Sequence, residues 1–152
     1  MRKLALGLLL LAAACSPRTH SDTMTSSSTI PPFNIDGITP ETFAPGLDVY
    51  IVRKGTGQPA KPGETVIAHY HGMLTDGKVF DSSYKRGQPF EFKPGKGQVI
   101  QGWDLAFAKL PVGTQARLVL APEMGYGSRG AGDAIPPNST LWFDVEVLGT
   151  RP

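Results

Sequence analysis

Residues 65–83 read TVIAHYHGMLTDGKVFDSS, and the spacing inside that stretch decides the fold class. Val66, Ala68, Tyr70, Gly72 and Leu74 fall at every second position, the period that sets side chains on one face of a strand. Asp76-Gly77 follows as a hairpin turn into Val79-Phe80, so two strands are expected to pair antiparallel. The same period recurs in both directions along the chain. Leu47, Val49 and Ile51 carry it upstream, and Phe90-Glu91-Phe92 is a short alternating piece. Downstream it returns in Ala116, Leu118 and Leu120, then in Leu141, Phe143, Val145 and Val147, with Trp142, Asp144 and Glu146 on the other face. Only Gly102 to Leu110 reads as a helix, a run of good helix formers closed by Pro111 and Gly113. The reading is an α+β domain, a curved antiparallel β-sheet wrapped around one short α-helix, with the apolar strand faces buried against Trp103 and Phe107.

The totals are consistent with this reading and narrow the function. A chain of 152 residues with 40% hydrophobic side chains supports one domain with its own core, plus a tail. Glycine at 18 and proline at 14 are high, and outside the tail they punctuate short apolar runs as turn residues do. The formal charge of +2 includes Arg2 and Lys3. Without those two, 13 basic side chains face 13 acidic ones. No stripe of Lys and Arg is left to displace counterions from phosphates, so nucleic acid is not an expected partner.

Met1-Arg2-Lys3, the apolar run Leu4 to Leu11 and then Ala12-Ala13-Ala14 have the order of an export signal, the apolar run being too short to span a bilayer. The single cysteine, Cys15, follows at once. Leu11-Ala12-Ala13-Ala14-Cys15 resembles a bacterial lipobox. That resemblance implies lipidation of Cys15 and attachment to a membrane through an N-terminal lipid anchor; ordinary cleavage leaving a free thiol is the alternative. The expected organisation is a signal peptide over 1–14, a lipidated cysteine with a flexible Ser/Thr/Pro-rich tether over 15–45, and a folded domain over 46–152. Within the tether, Ile35, Ile38 and Phe43 are the residues able to pack against the domain. In lipoproteins of this kind, Ser16 in place of aspartate implies the cell envelope, at the periplasmic face of the outer membrane in a Gram-negative organism.

Six ordered blocks in the domain resemble the FKBP family of peptidyl-prolyl isomerases. They are 68–74 (AHYHGML), 77–83 (GKVFDSS), 99–103 (VIQGW), 125–127 (GYG), 135–141 (IPPNSTL) and 143–146 (FDVE). The resemblance implies a proline-binding pocket between sheet and helix. Tyr70, Phe80, Trp103 and Phe143 would be its aromatic walls and floor, Phe90 would complete the wall, and Val99 with Ile100 would form an aliphatic side. Ile100 would lend its backbone N–H to the ligand and Tyr126 its hydroxyl, Asp81 would sit at the rim beside Tyr70 and Arg86, and Ile135 would lie in the loop over the site. Proline-containing polypeptides, macrolide inhibitors of the FK506 and rapamycin type and a monomeric state are likewise what the resemblance implies, with no cofactor and no metal. Rotation about an X-Pro bond breaks no covalent bond, and its barrier of about 18–20 kcal/mol reflects lost amide resonance. A water-poor aromatic pocket favours the twisted amide, whose carbonyl carries less charge, over the planar ground state.

Other chemistries find less support in the residues. His69 and His71 share a strand face, but no third ligand lies near them in sequence. Residues 125–130 (GYGSRG) fit the dinucleotide glycine pattern, yet residues 131–137 cannot begin the helix that pattern needs, so the stretch is expected to be a loop. Asp81 has no paired carboxylate, and neither Ser82 nor Ser128 has a base beside it in sequence. Two readings besides catalysis remain open at this point. The same pocket could serve as a binding module or chaperone, and a lipid anchor permits a surface factor acting on host proteins.

Overall fold

The computed structural model describes residues 30–152. The signal peptide, the lipobox with Cys15 and the tether up to residue 29 lie outside the described residues. Seven strands form one antiparallel sheet: β1 (Glu41–Ala44), β2 (Leu47–Arg53), β3 (Thr65–Leu74), β4 (Val79–Ser82), β5 (Phe90–Phe92), β6 (Gln115–Leu120) and β7 (Leu141–Arg151). Their order is β1-β2-β6-β7-β3-β4, with β5 also paired to β3. Two helices interrupt them, α1 (Ser83–Arg86) and α2 (Gln101–Phe107).

β7 is the spine of the sheet. It pairs with β3 from Leu74↔Leu141 to Thr65↔Arg151, and with β6 from Leu120↔Leu141 to Gln115↔Glu146. Alternation then sorts the side chains. Val66, Ala68 and Tyr70 of β3, Leu118 and Leu120 of β6 and Phe143, Val145 and Val147 of β7 join Trp103, Ala106 and Phe107 of α2 in one buried cluster. Phe107 is 1% exposed, and burying a side chain of that size stabilises the fold by roughly 1.5–3 kcal/mol. The face toward α2 is called inner below, the other outer.

The helix expected over 102–110 runs from Gln101 to Phe107. It stops early because the N–H groups of Lys109 and Leu110 both turn back to the Ala106 carbonyl, which drops Leu110 into the core. At its start, the Asp104 carboxylate accepts the N–H groups of Gly95 and Gly97 at 2.9 and 3.0 Å, tying the preceding loop to the first turn. α1 is a single turn that the sequence reading did not find. It is closed by Gly87 at φ +67°, with the N–H of Gly87 and of Gln88 returning to Tyr84 and Ser83 carbonyls. Four residues are too few for a helical period to show.

Residues 41–44, expected to lie in the tether, form a strand instead. β1 pairs with β2 through Glu41↔Val49, and Phe43 packs at the edge of the core under the Lys109 ammonium, 5.2 Å from its ring. Further upstream, Phe33 is 3% exposed. Its N–H donates to Asp144 Oδ2 at 2.6 Å, and its C=O accepts from Arg117 Nη2 at 2.9 Å. A polar anchor of this kind leaves no mark in hydrophobic periodicity. Asp144 is fully buried and is paired with Arg117, Nε to Oδ1, at 2.7 Å. Removing one partner of such a pair leaves an uncompensated buried charge, at a cost of roughly 3–5 kcal/mol.

Two expectations for stability follow from these contacts. A Cβ at Gly72 would meet Phe80 Cζ at 2.7 Å and Phe143 Cε1 at 2.8 Å, so Gly72→Ala is expected to destabilise the fold by about 1–3 kcal/mol in denaturant titration. His71 is buried on the outer face opposite Asp144, and its Nδ1 lies 3.0 Å from Ser82 Oγ. Burial lowers its pKa from 6.5, outweighing the Asp144 carboxylate, with Lys85 and Arg117 adding to the lowering. A depressed histidine stabilises the fold above the unfolded value and loses that contribution as pH falls through the folded one. Thermal midpoints should therefore decline as pH drops below about 6.5, the unfolded value, and His71→Asn should flatten the decline.

Candidate active site

The strand and helix ends bring ten residues around one cleft of about 310 Å³: Tyr70, Phe80, Asp81, Phe90, Gln98, Val99, Ile100, Trp103, Tyr126 and Phe143. β3 supplies Tyr70, β4 supplies Phe80 and Asp81, β5 supplies Phe90 and β7 supplies Phe143. Val99 and Ile100 come from the loop entering α2, and Trp103 sits in the first turn of that helix. Tyr126 stands between two short 3₁₀ turns, Pro122–Met124 and Gly127–Arg129. The dinucleotide-like glycines of residues 125–130 thus fall in irregular backbone, with no long helix after them.

The aromatic rings hold one another mostly edge to face. Trp103 meets Tyr70 at 5.0 Å and 77°, and Phe143 at 5.2 Å and 80°; Phe80 meets Phe143 at 5.5 Å and 88°. Such pairs contribute about 0.5–1.5 kcal/mol each beyond their buried area. Trp103 and Phe143 are buried, while Phe90 and Tyr126 are 37% and 41% exposed and form the more open edge of the cleft. The Ile100 carbonyl accepts from the N–H groups of Trp103 and Asp104. Its own N–H makes no backbone hydrogen bond among the described residues, which leaves a donor free beside the cleft.

One wall is polar. The Tyr70 hydroxyl donates to Asp81 Oδ2 and accepts from Arg86 Nη2 at 2.9 Å, and Arg86 Nη1 reaches Asp81 Oδ1 at 2.5 Å. The Arg86 guanidinium also lies 5.5 Å from the Tyr70 ring. Burial pushes the Asp81 carboxyl up, but hydrogen bonds from Tyr70 and Arg86 outweigh it, so its pKa lies below 3.8. Burial and then the Asp81 hydrogen bond raise Tyr70 above 10.0, against the lowering effect of Arg86. Burial and the Asp81 charge raise Tyr126 in the same direction. At neutral pH the wall is therefore a carboxylate, a guanidinium and two neutral phenols.

The residues named from the resemblance divide into three groups. Tyr70, Phe80, Asp81, Phe90, Val99, Ile100, Trp103, Tyr126 and Phe143 all line the cleft. Arg86 reaches it only through Tyr70 and Asp81. Ile135 is not in the lining. Its N–H and C=O close a two-way bridge with Ala131 at 3.1 and 2.9 Å, and its side chain is buried in the core cluster instead. The loop turns in upon itself there, starting at Gly130 with φ +63°. Gln98 lines the cleft and was not foreseen, although it directly precedes Val99; its Oε1 accepts the Lys93 N–H at 3.0 Å. Beneath Trp103 the rings continue through Phe92 at 5.6 Å and Phe107 at 5.1 Å. Among the described residues no three His, Cys, Asp or Glu side chains gather as a metal site. His69 and His71 instead meet Ser83 and Ser82 hydroxyls at 2.8 and 3.0 Å.

Comparison with known proteins points the same way as the geometry. Residues 56–148 match the family model for the FKBP-type peptidyl-prolyl cis-trans isomerase. FK506-binding protein 1 of Dictyostelium discoideum is 52% identical over 103 residues, 68% of this chain and 96% of that protein. A probable FKBP-type peptidyl-prolyl cis-trans isomerase of Haemophilus influenzae is 50% identical over 112 residues, 74% of this chain and 46% of that protein. The crystal structure of AtFKBP13 superposes with a TM-score of 0.71 at 40% identity, covering 74% of this chain and 99% of its own. With the fold, a ring-lined cleft and a family match through most of the chain in agreement, this protein belongs to the FKBP-type peptidyl-prolyl cis-trans isomerases and is an enzyme of that class.

Proposed function

We propose that this isomerase accelerates X-Pro rotation in exported or cell-envelope proteins by holding the proline segment in the ring-lined cleft. The observation that carries the reading is the cleft's division into an aromatic floor and one wall where Asp81 and Arg86 are ionised and hydrogen-bonded to Tyr70. In this reading the proline ring rests on Trp103 between Tyr70, Phe80 and Phe143. The rings exclude water, so the planar, polar amide loses more solvation than the twisted one, and the barrier falls. The Ile100 N–H and the Tyr126 hydroxyl hold carbonyl groups of the segment. Asp81 and Arg86 fix Tyr70 in place, and Phe90, Val99 and Gln98 bound the neighbouring residues. Relatives named FK506-binding proteins support macrolide binding, and in this reading macrolides of the FK506 and rapamycin type occupy the same space. A monomer attached to the membrane through lipidated Cys15 would present this cleft to newly exported chains.

Three measurements test this. Isomerisation of a proline tetrapeptide should be blocked by an FK506-type macrolide, and Phe80→Ala should lower kcat/KM by about tenfold, the loss of roughly 1.4 kcal/mol. Macrolide binding without turnover would make the protein a binding module instead. Because Asp81 titrates below 3.8 and Tyr70 and Tyr126 above 10.0, kcat/KM of the folded enzyme should be flat from about pH 5 to 9, given one-unit transitions around each pKa. A bell-shaped profile inside that range would show that another group governs turnover. Finally, Cys15→Ser should move the protein from the membrane pellet to the soluble fraction; membrane association that survives this change would remove the lipid anchor.

A further inference from the structure

Phe33 is buried, yet it lies outside the main hydrophobic cluster. It is held from the outer face of the sheet by two charged side chains that are themselves buried, Arg117 at 6% and Asp144 at 0% exposure. Those two are joined twice, Nε to Oδ1 at 2.7 Å and Nη2 to Oδ2 at 2.9 Å, and the Arg117 guanidinium lies 5.3 Å from the Trp142 ring. Each partner keeps further hydrogen-bonding capacity after that pairing, since a guanidinium carries five N–H groups and a carboxylate about four acceptor sites. Phe33 takes one such site on each partner, its N–H donating to Asp144 and its C=O accepting from Arg117.

Phe33 is the one buried residue of this segment, with Pro31, Ile35 and Ile38 half-buried. Pro32, Asn34, Asp36 and Gly37 are exposed, and Ile30 is 77% exposed. Phe33 also lies before the stretch 56–148 that matches the family, whereas Arg117 and Asp144 lie within it. Without the plug, a buried carboxylate and a buried guanidinium would each lose a hydrogen bond, and the place of a buried aromatic ring would be vacated. Unsatisfied buried groups of this kind are costly, and any extended chain offering one N–H, one C=O and a ring can satisfy them.

We propose that the outer face of the sheet carries a second peptide-binding site, which takes an extended polypeptide segment bearing an aromatic residue, and that Phe33 occupies it in cis as an exchangeable plug. Its ligand is recognised through main-chain hydrogen bonds and one ring, not through proline. Unfolded polypeptide supplies that chemistry, so one client chain can be held at two faces of the domain. The short connection from Phe33 to β1 keeps the plug at a high effective concentration. Segments from other chains therefore compete well only when the plug is displaced.

The test is a titration of the full chain carrying Phe33→Pro, which removes both the N–H and the ring, with a fluorescent peptide. The peptide spans residues 30–38 with Pro31→Ala and Pro32→Ala, so that the proline cleft does not select it. Fluorescence anisotropy is expected to show saturable binding to the variant and binding weaker by about tenfold or more to the unaltered chain, whose own plug competes. N-methylation at the peptide's phenylalanine removes the donor to Asp144 and should weaken binding to the variant by about tenfold or more. Unchanged isomerase turnover and an unchanged circular dichroism spectrum establish that the variant is folded; if it is not, Phe33→Ala, which removes only the ring, takes its place. Absence of saturable binding to the folded variant, or equal binding of the N-methylated peptide, would overturn the proposal.

Discussion

Tyr70, Trp103 and Phe143 meet edge to face, with Tyr70 and Phe143 each about 5 Å from the indole, and this contact is where sheet and helix become one body. Tyr70 comes from β3, Phe143 from β7 and Trp103 from α2. The edge of one ring carries positive and its face negative charge density, so perpendicular packing is favoured over face-to-face stacking. That preference fixes ring orientation as well as position. The same three rings close the top of the hydrophobic core and form the floor of the cleft, so the rigidity of the site is borrowed from the packing of the core. The hollow persists because Phe92 and Phe107 buttress the indole from below.

Polar contacts then set what the rings alone cannot. Tyr70 is the one floor residue with a hydroxyl tied at both ends of its hydrogen-bonding capacity, donating to Asp81 and accepting from Arg86. A tyrosine so satisfied does not compete for water in the cleft. Arg86 can reach it because α1 folds back immediately after β4, which brings residues 81 and 86 together across a single turn. The four-residue helix that sequence periodicity did not reveal is thus what completes the wall.

The strands of the sheet were legible because a half-buried strand must alternate, and Val66 to Leu74 and Leu141 to Val147 do so without ambiguity. β1 and α1 were not, since four residues hold too little of either period to be seen. Periodicity also could not separate floor from core. Phe143 and Val145 alternate identically, and only the recognised motifs assigned the ring to a cleft. Nine of the residues named from those motifs line the cleft and Ile135 does not, because a loop's side-chain direction depends on its internal bridge to Ala131 and not on its order in the chain. Phe33 was passed over for the neighbouring Ile35 and Ile38, since what anchors it is the backbone rather than hydrophobic spacing.

Phe143 and Asp144 are consecutive residues of β7, one turned into the cleft and the other holding the segment on the opposite face. From Leu141 to Val147 the strand pairs with β3 without a break in register, so the two assignments change together. Deleting a single residue anywhere between Leu141 and Phe143 would send the carboxylate toward the floor of the cleft and the aromatic ring out against Arg117. The two faces of the domain are in this sense written in one reading frame. The extra residue that β7 does carry, Leu148, lies beyond Val147, where the pairing with β3 shifts register and neither face assignment is disturbed.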